Sequence, residues 1–159
     1  MFGGLLIAHD RRSELDFVAA GYGVERVTFM YNQYVIVGSP QNPAGIKQDM
    51  DISEVMNSIM NNRSSFISRG DDSGTHKKEL ALWNMAGIVP FAKDKWYKEA
   101  GRGMGTVLTM ANELLAYTLS DYATWLSFKN RSNLVVLFNR KEYMYNLSLI
   151  HISEPTRPY

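Results

Sequence analysis

Ser65-Phe66-Ile67-Ser68-Arg69-Gly70-Asp71-Asp72-Ser73-Gly74-Thr75, followed by His76-Lys77-Lys78-Glu79, is the stretch that decides how this chain folds. Its first four residues read as a short strand. A turn over Arg69 to Gly74 follows, then a helical pattern from Thr75 to Met85 that Gly87 closes. Strand, turn and helix in that order form the elementary unit of an α/β fold.

The same segment carries the chain's most specific chemistry. The free N–H groups of a helix start, reinforced by the helix dipole, suit a small oxyanion. Hydroxyls give such a guest direction, and a guanidinium offers a charged fork for two oxygens at once. Ser68, Arg69, Ser73, Gly74 and Thr75 supply these groups, with Gly74 allowing close backbone approach. Asp71 is assigned to Arg69, as the carboxylate that orients it, and Asp72 either caps the helix or lies in solvent. Read without a guest, the segment is simply a capped helix start after a strand, and most such starts bind nothing. Arg69-Gly70-Asp71 also spells an adhesion tripeptide, a match too short to be specific. A nucleotide P-loop needs Gly-Lys-Ser/Thr, and Gly74-Thr75-His76 lacks the lysine.

Outward from this centre, strands and helices continue to alternate. Leu5 to Ala8, Tyr31 to Val37, Ala116 to Leu119 and Leu134 to Phe138 read as strands. Glu14 to Ala20, Ile52 to Met60 and Tyr122 to Phe128 read as helices, as does a segment behind the glycine-rich turn Gly101 to Gly105. The expected architecture is α/β with a mostly parallel sheet.

Composition bounds the function. Of 159 residues, 45% are apolar and 21% charged, and seventeen basic residues face sixteen acidic ones for a net charge of +1. That balance leaves no electrostatic footprint for nucleic acid or an anionic membrane, so an anion site must be local and directional. Cysteine is absent, which excludes disulfides and thiolate-bound metal. No apolar run approaches the roughly 18 residues of a membrane span, and the first residues lack the basic flank of a secretory signal.

Several blocks together resemble the tungstate-binding component of ABC transporters. They are Leu5 to Asp10, Gly21-Tyr22-Gly23, Met30-Tyr31-Asn32, Val35 to Gly38, Pro43 to Ile46 and the long run Phe66 to Glu79. Leu82-Trp83, Trp96-Tyr97, Gly101 to Gly105 and Ala116 to Asp121 extend the likeness, which covers nearly all of residues 5 to 146. It implies a type II periplasmic-binding-protein fold, with a three-layer mixed sheet and mostly one lobe plus part of the second. The implied role is extracytoplasmic capture of tungstate or molybdate for ABC-transporter uptake, without cofactor or catalysis. Arg69 would be the main charged ligand, with Ser68, Ser73, Gly74 and Thr75 as further donors. Partners would be the oxyanion and the permease subunits, with no nucleic acid. The location would be periplasmic, or extracellular and membrane-tethered, peripheral to the membrane.

Phosphate-binding relatives share the Arg-x-Asp-x-Ser-Gly-Thr pattern of Arg69 to Thr75, so phosphate is the nearest rival guest. An enzyme or an interaction module on the same fold is the remaining alternative. The family's signal sequence and its Thr/Ser-rich first loop have no counterpart here, so the chain is expected to be a fragment. Residues 1–38 would be a remnant of the first lobe and crossover strand, 39–146 the second, anion-binding lobe, and 147–159 a non-native tail resembling translated adapter sequence.

The other candidates have bland readings. His9, His76 and His151 form no metal set, and the methionines are core filler. Trp83, Trp96 and Trp125 pack, Tyr117 and Asp121 take core and cap roles, and Asp10 sits at a strand end or caps a helix.

Overall fold

Tyr34-Val35-Ile36-Val37-Gly38 is apolar on both faces, as a strand covered from both sides must be. In the computed structural model, which describes residues 33–145, this run is β1 (Tyr34–Gly38), and every residue of it is buried. Its alternation divides the core in two. Tyr34 and Ile36 pack with Ile52, Val55, Met56, Ile59, Phe66, Leu82, Trp83 and Tyr97. Val35 and Val37 face the other way, onto Ile67, Val107, Leu108, Ala111 and Trp125. The described elements therefore form three layers, helices on either side of one mixed sheet.

On the first face lie α1 (Ile52–Asn61) and α2 (Gly74–Met85). Ile52, Val55, Met56 and Ile59 form the buried stripe of α1, and Asp51 and Glu54 close a capping box at its start. On the second face lie α3 (Met104–Leu114) and α4 (Tyr122–Ser127), and a short α5 (Lys141–Met144) ends the unit. The described residues coincide with one compact unit, Gln33–Met144.

β4 (Thr118–Asp121) and β5 (Val135–Phe138) flank β1, and both run antiparallel to it. β2 (Phe66–Ser68) pairs in parallel with β3 (Tyr97–Glu99). A parallel bridge between Phe66 and Tyr117 joins the two pieces, closed by Ile67 N–H to Tyr117 O at 2.9 Å and Tyr117 N–H to Ser65 O at 2.8 Å. The resulting order is β3-β2-β4-β1-β5, in which β1 alone is reversed. Parallel pairing is confined to β2 with β3 and the Phe66–Tyr117 bridge, while both ladders of β1 are antiparallel, so the sheet is mixed, as the family likeness implies, and not mostly parallel as the alternation of strands and helices suggests. The sequence reading groups this strand with the preceding segment as a crossover; here it is hydrogen-bonded on both sides within the sheet.

At the end of β1 the ring of Tyr117 crosses so closely that a Cβ on Gly38 would lie 2.7 Å from it. The Tyr117 hydroxyl is spent inside the fold, donating to Asn42 Oδ1 and accepting from Ala44 N–H, each at 2.9 Å. Asp121 caps α4 through the N–H and hydroxyl of Thr124. Strand β3 and helix α5 have no counterpart in the sequence reading. The strand and helix expected at Leu5 to Ala8 and Glu14 to Ala20, with His9, Asp10, His151 and the tail, lie outside the described residues.

Phe66 is fully buried against Trp83 and Tyr97 where β2 meets the first helical layer. Phe66→Ala should cost about 3–5 kcal/mol in urea unfolding. Val89→Ser, at a side chain 70% exposed, should stay within about 0.5 kcal/mol. Equal costs at the two positions would contradict this placement of the core.

Candidate functional site

Because β2 and β3 are parallel, they deliver the chain to the same edge of the sheet, and each leads to a helix start. The two exits touch. Ala100 N–H donates to Ser68 O at 2.9 Å, and a Cβ on Gly70 would lie 2.8 Å from Cβ of Glu99. Gly70 also has φ +57, so crowding and backbone conformation both demand glycine.

Arg69 folds back along the turn. Its Nε and Nη2 donate to Asp71 Oδ2 at 3.1 and 2.7 Å, while Oδ1 accepts the Ser73 N–H at 3.2 Å. Asp71 thereby ties the guanidinium to the start of α2, in the pairing expected from sequence. Side-chain exposures of 19% and 23% place the ion pair at the rim, solvent-accessible but held. An adhesion tripeptide needs its arginine extended at a loop tip; this one is clamped to its own aspartate.

Burial pushes the Asp71 carboxyl upward, but hydrogen bonds from Ser73 and Arg69 and the arginine's charge outweigh it and hold the group at about 2. Both of its oxygens are acceptors already in use.

Ser73, with extended backbone, is the N-cap of α2, and its Oγ accepts the His76 N–H at 3.2 Å. This settles the two sequence options for Asp72. Its left-handed backbone, φ 60, is not that of a cap residue, and the residue is exposed. Since Ser73 Oγ serves as the acceptor, its hydroxyl proton can still be donated. Among the described residues, no acceptor pairs with the N–H of Gly74 or Thr75. A side chain at Gly74 would meet nothing within 4 Å, so the backbone is uncovered on that side. Thr75 itself is buried.

His76 takes a structural role, as its sequence reading has it, whereas Ser68 departs from its own. His76 braces the turn, its Nδ1 accepting the Asp72 N–H at 3.0 Å. The ring proton then sits on Nε2, which is buried without a partner among the described residues. Ser68, expected to offer its hydroxyl to a guest, is fully buried and donates it instead to Glu79 Oε2 at 2.7 Å.

Glu79 was missed by the sequence reading. It is 2% exposed, and its other oxygen accepts from Trp83 Nε1 at 3.0 Å and Tyr97 Oη at 2.7 Å. Burial pushes this carboxyl up, opposed by hydrogen bonds from Ser68, Tyr97 and Trp83. The Tyr97 hydroxyl is driven up by its own burial and by the carboxylate beside it. The buried positions of α2 contain the missed signal, because Thr75, Glu79, Leu82 and Trp83 share one helical face. At the second exit, α3 starts at Gly103, which supplies no side-chain cap.

A three-layer α/β unit that brings an arginine and an open helix start to one sheet edge has the architecture of a solute-binding lobe. The chain belongs to the PBP superfamily, whose domain model matches residues 5–156. It is 45% identical over 144 residues to the tungstate-binding protein TupA of Peptoclostridium acidaminophilum, covering 89% of this chain and 50% of that protein. Identity to the TupA of Campylobacter jejuni is 32% over 155 residues, covering 95% and 57%. The structure of the tungstate ABC transporter from Geobacter sulfurreducens superposes with a TM-score of 0.67 at 48% identity, over 86% of this chain and 57% of that one. The chain spans about half the length of the curated relatives it matches.

The depressed carboxyl gives a pH test. A group whose native pKa lies below its ordinary 3.8 contributes stability that is complete above that value and lost as pH falls towards about 2. In a carbon-detected NMR titration, the Asp71 carboxyl should show its midpoint near 2 and move up in Arg69→Ala. A wild-type midpoint near the ordinary 3.8 is incompatible with the clamp.

Proposed function

We propose that this chain contributes the anion-gripping lobe of an extracytoplasmic solute-binding protein, which captures tungstate or molybdate and passes it to the permease subunits of an ABC transporter. In this reading residues 39–146 belong to the anion-binding lobe, and the crossover strand β1 completes its sheet. Residues 1–38 otherwise belong to the first lobe. The protein acts outside the cytoplasm, at the membrane surface; among the described residues no helix is long and apolar enough to cross a membrane.

One observation carries the proposal: the relay from the Arg69 guanidinium through Asp71 to the Ser73 amide, beside the unpaired N–H groups of Gly74 and Thr75. The Nη1 group of Arg69 has no hydrogen-bond partner among the described residues and supplies the charged contact. Ser73 adds a hydroxyl, and Gly74 and Thr75 add amides. Asp71 serves as the orienting anion. Ser68, drawn inward by Glu79, supports the loop from below.

The state of Asp71 also bears on the guest. A protonated phosphate needs an acceptor for its hydrogen, whereas a fully deprotonated tetrahedral dianion needs donors only. The Asp71 carboxylate is turned to Arg69 and Ser73, and the groups left to meet a guest are donors, which supports tungstate over phosphate. The matched relatives are named for tungstate binding and transport, which supports binding over catalysis.

Calorimetric titration of the full-length gene product with tungstate, molybdate, sulfate and phosphate tests the reading. Tungstate and molybdate should bind, and Arg69→Ala should weaken tungstate by roughly a hundredfold, about 3 kcal/mol. Phosphate binding without a tungstate response overturns the ligand. An Arg69→Ala variant as tight as wild type overturns the site.

A further inference from the structure

Glu79 is a fully enclosed carboxylate reached by three elements: Ser68 from β2, Tyr97 from β3, and Trp83 from its own helix α2. An indole N–H can only donate, so the oxygen facing Trp83 and Tyr97 is an acceptor. On the other side Ser68 Oγ accepts the Gly70 N–H at 3.2 Å, and its own proton is directed to Glu79 at 2.7 Å. The bonds thus run one way, from the Gly70 amide to the Ser68 hydroxyl to the Glu79 carboxylate. Gly70 is the left-handed residue between Arg69 and Asp71, the two members of the surface clamp.

We propose that Glu79 is a positioning residue for the oxyanion loop: by holding the Ser68 proton it fixes the rotamer in which Ser68 Oγ faces and accepts from the Gly70 N–H, and so steadies the turn that aims Arg69. This rests on the anion reading of residues 69–75 and extends it inward by one layer. It also predicts a sign. Were Ser68 a direct donor to the guest, Glu79 would compete for its proton, and removing the carboxylate would leave affinity unchanged or raise it. As a positioning residue, Glu79 must raise affinity by its presence.

Glu79→Gln separates the two. The indole keeps the amide carbonyl on its own side, so the amide N–H₂ faces Ser68 and donates where the carboxylate accepted. That leaves the Ser68 proton without its buried acceptor, so the hydroxyl turns and the hold of its oxygen on the Gly70 N–H loosens. Tungstate titrations of the full-length protein at pH 8 should show Glu79→Gln at least tenfold weaker, with the near-ultraviolet dichroism of Trp83 retained. Ser68→Ala should also be weaker, and adding Glu79→Gln to it should cost no further affinity, because both act through the same bond. Glu79→Gln binding as tightly as wild type or tighter overturns the proposal, as do fully additive effects, which mark a general structural role. If Glu79→Gln does not fold, Ser68→Ala decides, and unchanged tungstate affinity there overturns the proposal. Arg69→Ala runs alongside. Its retention of binding would refute the anion site itself, whereas loss of binding in Arg69→Ala with none in Glu79→Gln refutes only the positioning role.

Discussion

A carboxylate withdrawn from water loses hydration worth several kcal/mol, and only well-aimed donors or an opposite charge restore it. Glu79 meets that requirement with donors alone, from Ser68, Trp83 and Tyr97. The arrangement holds together because two of the donors belong to aromatic rings that are themselves core. Phe66 sits edge-on to Trp83 at 5.2 Å and stacks on Tyr97 at 6.0 Å, and Trp96 closes the cluster against both. Buried tryptophan and tyrosine need somewhere to place an N–H and an O–H, and Glu79 needs those same hydrogens. Apolar burial and hydrogen-bond satisfaction therefore impose one geometry on β2, β3 and α2.

In the proposed reading the same geometry lets a nearly neutral chain present an anion site. The charges along the loop largely cancel, since Arg69 is paired with Asp71, and Glu79 beneath them is held by neutral donors. Net attraction for a dianion is therefore weak, and recognition falls to direction. Amides, a hydroxyl and the remaining face of the guanidinium contribute only when the guest's oxygens meet them squarely, with the helix dipole adding a modest bias. Such a site discriminates by shape and protonation state more than by total charge.

How far this was legible in the sequence follows from the range of each interaction. The α1 stripe, the doubly buried β1 and the Arg69–Asp71 pair are local patterns, and each stands where periodicity or a two-residue spacing puts it. The reversed direction of β1 depends on pairings with residues some eighty to a hundred positions away. Strand β3 has only Tyr97 buried among its three residues, so neither an apolar run nor an alternation marks it. Glu79 follows two lysines, in what reads as a solvated helix face. Its spacing with Thr75, Leu82 and Trp83 marks the buried face, but its partners Ser68 and Tyr97 come from other strands, where no local pattern signals them. The Ser68 hydroxyl turns to Glu79 and not outward for the same reason: a serine at a strand end points to a guest or to the core according to what lies beneath it.

The turn itself contains two left-handed residues, Gly70 and Asp72, in a span that must still aim Arg69. For a non-glycine residue such a conformation costs of order 1 kcal/mol or more, and it persists only where surrounding contacts over-determine it. Each position has its own brace. Gly70 is pressed against Glu99 and bonded to Ser68, and Asp72 is bonded to the His76 ring. Both braces come from outside the turn, one from the sheet and one from the helix, and both exist without a guest. The turn is therefore ordered without a guest, so in the proposed reading the binding free energy of an anion is not diminished by that conformational cost. A loop held this way should keep its shape when Asp71 or Arg69 is altered, and lose it when the bonds beneath it are changed.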